Sequence, residues 1–438
     1  MKASIAKAML VSVVLVAVCV LYMPRRASAI PAFARRYQTS CTTCHVLPPK
    51  LNAFGVAFKN NGYRIPGDDE KFIKQPDVEL GAPGWKKVWP KGVWPGAIPD
   101  RVPLSAAVEL ETTVTPNDAV KTDFAFPAEF ELLAGGTLGS RFSYLGELAF
   151  EFAGGETEVD FERGHFNMQL TNSPLMNLRL GRIETGATPF SRFSYKLTDE
   201  DFIVSDFRAV PGGFRFRQRQ QGFELWGAKN GPGGGGFQYS LGLVNGSGSS
   251  NDNNSQKDWY GSGSYKFRGF GVTGPTAAMN TLKATENYID NSVEVGAFGY
   301  SGRTGATPAE EVRFDRVGFK VNAYISRLNL FGAYVRGRDR VLLGGPEGLG
   351  PRKLSSDAWF VQGDVVVLPW IVGTLRYDQA IGDPAFLHVK RVVPALSMMI
   401  RANVILSAEG PIYIGDGNKL LNGDTAHNGA TFRLTFFF

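Results

Sequence analysis

From about Leu104 to Phe438 apolar and polar side chains alternate with a period of two, and this pattern limits the fold more than any other feature of the chain. Phe142, Tyr144, Leu148, Phe150 and Phe152 alternate with Arg141, Ser143, Glu147 and Glu151. Met176, Leu178 and Leu180 alternate with Asn177 and Arg179, and Phe214 and Phe216 with Arg215, Arg217 and Arg219. Gly/Asn/Asp/Ser turns such as residues 245–254 separate these runs. Period two bounded by turn residues reads as strands. A soluble sandwich would bury the aromatic face, whereas an outer-membrane barrel would turn it to lipid and line its lumen with the polar face. Three features favour the barrel. The polar face mixes acids and arginines over many strands, as a watery lumen requires. The 335 residues from Leu104 onward hold about 16 strands of ~10 residues with their connections. The chain ends Phe432-Arg433-Leu434-Thr435-Phe436-Phe437-Phe438, an alternating aromatic strand that a soluble domain would have little reason to expose.

Other classes fall away on composition. Beyond the first thirty residues no apolar run reaches membrane-helix length; residues 365–372 are interrupted by Pro369. Lys2 and Lys7, an apolar core from Ala8 to Met23 and Ala27-Ser28-Ala29 predict a cleaved secretory leader over 1–29. Its removal takes Lys2, Lys7, Arg25 and Arg26 and lowers the net charge from +6 to +2, which leaves nucleic-acid binding without support. It also takes Cys19, so the exported chain keeps only Cys41 and Cys44.

Those two thiols stand in Cys41-Thr42-Thr43-Cys44-His45, the C-x-x-C-H signature of covalent c-type haem attachment. Two thioethers and an axial imidazole must meet one rigid macrocycle from one short turn, with Cys41 and Cys44 as attachment points and His45 as iron ligand. A zinc site would need further ligands, and no other Cys or His lies between Ile30 and Arg101. A thioredoxin-like pair would need a βαβ context. Downstream, Leu51, Phe54, Gly55 and Phe58 mark one face of a short helix, stopped at Asn60-Asn61-Gly62. Phe33 and Tyr37 are candidates to cover haem edges, and Arg35 and Arg36 to pair with propionates. The expected organisation is a leader (1–29), a haem unit (30–80), a Pro/Trp-rich linker (81–103) and a barrel (104–438). In fold class the chain is expected to be mainly all-β, an antiparallel outer-membrane β-barrel behind a small α-helical c-type haem-binding unit.

The run from Pro31 to His45, with Pro49 to Gly55, Phe58 and Gly62-Tyr63, resembles the haem segment of the fused outer-membrane cytochrome–porin family of iron-oxidising bacteria. The order of leader, one haem motif and a porin-like barrel ending in phenylalanine is also similar. The resemblance is specific over residues 30–63 and architectural beyond. It implies one haem c, uptake of electrons from extracellular Fe(II), delivery to a periplasmic cytochrome c-like carrier, and hence an electron-transfer oxidoreductase of the iron:cytochrome c type in the bacterial outer membrane. Its haem-binding positions match Cys41, Cys44 and His45; it supplies no distal ligand.

Strand parity sorts candidates for that ligand. His165 shares a face with Asn167 and Gln169, Met399 with Ser397 and Arg401, and His427 with Arg433; a one-residue slip reverses each assignment. Glu129, Glu131, Glu147 and Glu151 are expected to make one lumen wall acidic and to attract Fe²⁺, opposite a basic ladder of Arg215, Arg217 and Arg219. Asp68-Asp69-Glu70 reads as a solvated loop before a cation site. The duller alternatives are a diffusion porin whose haem unit plugs, gates or senses, and a soluble periplasmic cytochrome fused to a sandwich.

Overall fold

A computed structural model describes residues 31–74, 77–79, 87, 97–99, 103–116, 119–153, 156–209, 213–248, 252, 254–275, 286–305, 311–341, 350–383, 388–415, 418 and 428–438. The leader and most of the Pro/Trp-rich stretch lie outside these residues. So does His427.

The chain opens with helix α1 (Ala32–Tyr37), a 3-10 turn (Cys41–Thr43), a small hairpin of β1 (His45–Leu47) and β2 (Lys50–Leu51), and helix α2 (Ala53–Asn60). Phe54, Gly55 and Phe58 of the apolar face read from sequence lie on α2, whereas Leu51 falls on β2 before it; the Asn52 side chain caps the helix start, and Gly62 follows its end at φ +66°, a backbone glycine adopts without strain. A second pair joins β3 (Asp77–Glu79) to β4 (Ala97–Pro99).

All remaining strands form one antiparallel sheet: β5 (Leu104–Val114), β6 (Thr122–Leu138), β7 (Phe142–Ala153), β8 (Glu156–Gln169), β9 (Asn177–Ile183), β10 (Gln220–Asn230), β11 (Gly235–Val244), β12 (Asp258–Phe267), β13 (Val293–Thr304), β14 (Val312–Ile325), β15 (Leu328–Val341), β16 (Arg352–Leu368), β17 (Ile371–Ile381), β18 (His388–Arg401), β19 (Val404–Glu409), β20 (Ile412–Tyr413) and β21 (Ala430–Phe437). Pairing of β21 with β5 closes it into a barrel. β19 and β20 continue one register along β18, broken where Pro411 offers no N–H, so they count as a single strand and the described residues build the expected 16.

The alternation sorts the two faces. On β14, Val317, Phe319 and Val321 point outward and are exposed, whereas Phe314, Arg316 and Asn322 point inward and are buried. A closed barrel with an apolar exterior satisfies every ladder hydrogen bond internally and suits a bilayer, so the protein is built for the bacterial outer membrane. Short turns at Ser326-Arg327, Pro369-Trp370 and Ala402-Asn403, together with the chain end (Phe438 N to Ala106 O, 2.8 Å), mark the periplasmic rim.

Two segments fill the lumen. Of the connection from β9 to β10, residues 184–209 and 213–219 fold inward, with helices α3 (Arg192–Tyr195) and α4 (Ile203–Asp206). Phe214 and Phe216 belong to this loop and not to a barrel strand; they turn their rings into a dry core, not to lipid. Phe214 stacks on Phe314 (4.2 Å between centroids), Phe202 on Phe360 (4.7 Å), and Phe190 meets Phe331 (4.9 Å). One side of the lumen is therefore aromatic, contrary to a uniformly polar lining. Residues 31–74 plug the periplasmic half. Ala32 N donates to Ser105 Oγ on β5 (2.7 Å), Arg64 to Gly139 O (2.8 Å), Asn60 to Gln238 Oε1 on β11 (2.8 Å), and Lys50 to Asn329 Oδ1 on β15 (2.6 Å) and to Asp364 on β16. These anchors lie all around the barrel.

Candidate functional site

Between plug, loop and the wall of β5–β8 and β21 lies a cavity of about 1260 Å³. That is larger than most small-molecule pockets. Cys41, Cys44 and His45 all line it, with Phe33, Phe54 and Phe58 from the same segment. Both cysteines are free thiols, and burial pushes the Cys44 thiol up to about 12.

The chain holds this turn by direct contacts. Asn52 Oδ1 accepts from Gly55 N (2.9 Å) as the cap of α2, while its Nδ2 donates to the carbonyls of Thr42 and Thr43 (3.1 Å each). Asn52 N donates to Cys44 O (2.9 Å), and Asn287, from the β12–β13 connection, donates to Thr42 O. At Gly55 the helix runs against the turn so closely that a Cβ would stand 2.0 Å from Cys44 O. His45 Nδ1 lies 3.1 Å from Pro49 O. A carbonyl only accepts, so Nδ1 carries the proton and Nε2 keeps a free lone pair. Burial pushes the imidazole down to about 4, against the pull of backbone bonds to Pro49 and Lys50, so it is neutral at pH 7.

Phe33 stacks on Tyr63 (5.5 Å) and meets Phe58 edge-on (5.3 Å), so the aromatic residues read from sequence form one cluster at the cavity edge. Arg35 donates to Leu104 O (2.5 Å). Asp69 serves the plug's own fold, accepting from Tyr37 Oη and Ile65 N (2.7 Å each), and Asp68 pairs with Lys71 (2.6 Å).

The proposed distal ligands divide differently. His165 and Met399 do face inward, as their parity required. Neither lines the cavity. His165 is buried on β8 with both ring nitrogens unpartnered, and Met399 packs with Val46, Leu47 and Val372 under the plug.

The acidic wall is present. Glu129, Glu131, Glu147 and Glu151 line the cavity with Glu109 and Glu111. Arg433 pairs with Glu109 (3.1 Å) and Glu111 (2.7 Å), and Arg163 with Glu147. Glu129, Glu131 and Glu151 make no ion pair or hydrogen bond among the described residues. Facing cations come from the inward loop, which corrects the basic ladder expected on an opposing strand. Arg215 pairs with Asp206 (3.1 Å), Arg217 with Asp201 (2.9 Å) and Arg219 with Glu162. Against the cost of burial, Lys196, Arg192 and Arg217 hold the Asp201 carboxyl well below the usual carboxylate range. Asn52 and Asn287 escaped the sequence reading: a lone Asn before a helix signals a cap, but nothing local signals its further side-chain bonds to carbonyls nine and ten residues back.

No protein-family description and no curated protein matches the chain. Among solved structures it is similar to an anion-selective porin from Comamonas acidovorans, at 12% identity and a TM-score of 0.53 over 76% of this chain and 98% of that one. It is likewise similar to OmpF of Salmonella typhi in complex with daunomycin, at 12% identity and a TM-score of 0.51 over 76% and 97%. At such identity the likeness is one of fold: a porin-like barrel.

Proposed function

We propose that the protein is an outer-membrane electron conduit that carries one haem c on Cys41 and Cys44, with His45 as iron ligand, and takes electrons from extracellular Fe(II) for a periplasmic cytochrome c-like carrier. The observation that carries this reading is the convergence of two free thiols and a neutral imidazole, its Nδ1 already engaged, on one large cavity inside the barrel. A haem held there supplies one-electron chemistry at its iron. The protein's own residues bind and orient. Asn52 and Gly55 fix the attachment turn against α2; the Pro49 carbonyl keeps the His45 ring in the tautomer that presents Nε2. Phe33, Phe54 and Phe58 provide apolar cover at the cavity edge. The carboxyl groups of Glu129, Glu131 and Glu151, without an ion-pair partner among the described residues, offer oxygen ligands to a divalent cation that enters the cavity.

Anaerobic addition of Fe(II) to the oxidised, detergent-solubilised protein, followed by haem absorption, tests the proposal. Rapid reduction is the expected result. A haem that responds to dithionite but not to Fe(II) would leave a cytochrome–porin with another donor, and an absent haem spectrum overturns the reading. The porin fold itself favours a second reading, a diffusion porin gated by its N-terminal unit. Steady ion conductance by the intact protein would select it.

A further inference from the structure

The outer wall carries a dense basic patch that the lumen chemistry does not use. At the loop-bearing rim, opposite the short turns, Arg303, Arg313, Arg340 and Lys353 stand directly opposite one another across β13, β14, β15 and β16. One step toward the membrane the row is Ser301, Asp315, Arg338 and Ser355; the next brings Arg336 beside Asp357. Parity turns all of these outward: Val312, Phe314 and Asp339 between them are buried inside, while Arg313, Arg336, Arg338, Arg340 and Lys353 are exposed. Glu311 serves Arg303 (2.8 Å) and Arg313 (3.3 Å), and Asp315 accepts from Ser301 (2.7 Å). Arg338, Arg340 and Lys353 have no ion-pair partner among the described residues.

Like charges in cross-strand register are destabilising unless an anion joins them. The depth of the patch identifies that anion. Directly below it Phe319 stacks on Tyr334 (5.4 Å) and Trp359 lies tilted against Tyr377 (5.0 Å), an aromatic girdle of the kind that sits at the edge of the hydrocarbon. Below the girdle Leu330, Leu375, Ile325 and Val365 form the apolar band. The cations therefore stand at headgroup height in the outer leaflet, on a surface whose lower part acyl chains already cover. We infer that this face binds a phosphorylated glycolipid of the outer leaflet, its acyl chains on the apolar band and its sugar phosphates held by Arg338, Arg340 and Lys353, arginine being suited to bidentate phosphate contacts. The inference is independent of what the lumen carries.

The test uses the full-length protein in detergent, stripped of lipid and titrated by native mass spectrometry with bisphosphorylated lipid A, its dephosphorylated form and phosphatidylglycerol. The comparison protein is Arg338→Ala/Arg340→Ala/Lys353→Ala, with Arg338→Lys/Arg340→Lys as the charge-keeping control and heat-modifiable gel migration as the check on folding. Bisphosphorylated lipid A should bind the wild type, and the triple variant about a hundredfold more weakly, each removed cation counting as a surface cation at an anionic leaflet. The lysine control keeps the charge but not the bidentate contacts, so it should bind more tightly than the triple variant and more weakly than the wild type. Equal binding of dephosphorylated lipid A or of phosphatidylglycerol, equal binding by the triple variant, or displacement of the lipid by millimolar inorganic phosphate would each overturn the inference. Should the triple variant not fold, the single Arg338→Ala and Arg340→Ala variants, each expected to weaken binding several-fold, decide it.

Discussion

Gly55 is where the Cys41–His45 turn and the helix behind it come closest, and the consequence is measurable. A methyl group there would overlap the Cys44 carbonyl at 2.0 Å, and that oxygen is backbone, already accepting from Asn52 N, with little freedom to yield. Gly55→Ala should therefore cost about 1–3 kcal/mol, the usual price of overpacking, and displace the turn from α2. Gly146, whose nearest neighbour would be 4.0 Å from an added Cβ, is the matched control. Limited trypsin digestion at the plug's lysines should speed up in Gly55→Ala and stay unchanged in Gly146→Ala; equal rates would refute the steric argument. The sequence located Gly55 on the right helix face by its i, i+3 relation to Phe58. It could not show that the face is pressed against a carbonyl, because that contact depends on how the turn folds back.

The inward loop is the element whose sequence pattern misleads. Phe214, Arg215, Phe216 and Arg217 alternate as a lipid-facing strand does, yet the rings pack on Phe298, Tyr300 and Phe314 inside the lumen. Period two reports that two sides differ, not which side is wet or which element bears it. Elsewhere the same pattern served well: the inward faces of His165, Asn167, Ser397 and Arg433 all follow from it, because those segments have ladder partners on both sides. The loop's role makes a prediction of its own. Phe202 is fully buried and stacked on Phe360 at 4.7 Å, so Phe202→Ala should cost about 3–5 kcal/mol, as for other buried aromatic truncations. Phe319, outward and half-exposed to lipid, should cost clearly less on the same truncation. Denaturant titration of the barrel refolded in lipid vesicles compares the two; equal losses would mean the lumen side of β13–β16 is wet and the loop mobile within it.

A barrel of this strand number is wide enough for an aqueous channel, so whether this protein conducts depends on what fills it. The loop closes one side with an aromatic core, and the plug spans the periplasmic half through polar anchors at its rim. Among these anchors Lys50 is the most buried, about 1% exposed, bonded to Asn329 and paired with a buried Asp364. Gln362 and Thr374 also bond the Asp364 carboxylate, at 2.9 and 2.7 Å, so the carboxylate is held in place whether or not its cation is present. Lys50→Met would leave that charge buried without its counter-ion, at a cost of about 3–5 kcal/mol. The loss falls on docking of the plug, since β15 and β16 keep their full ladder without Lys50. In planar bilayers the wild type should be nearly closed, Lys50→Met should show long openings, and Lys50→Met/Asp364→Leu should close again because no charge is stranded. Open wild-type channels, or a double variant as leaky as the single one, would show that the pair does not hold the plug.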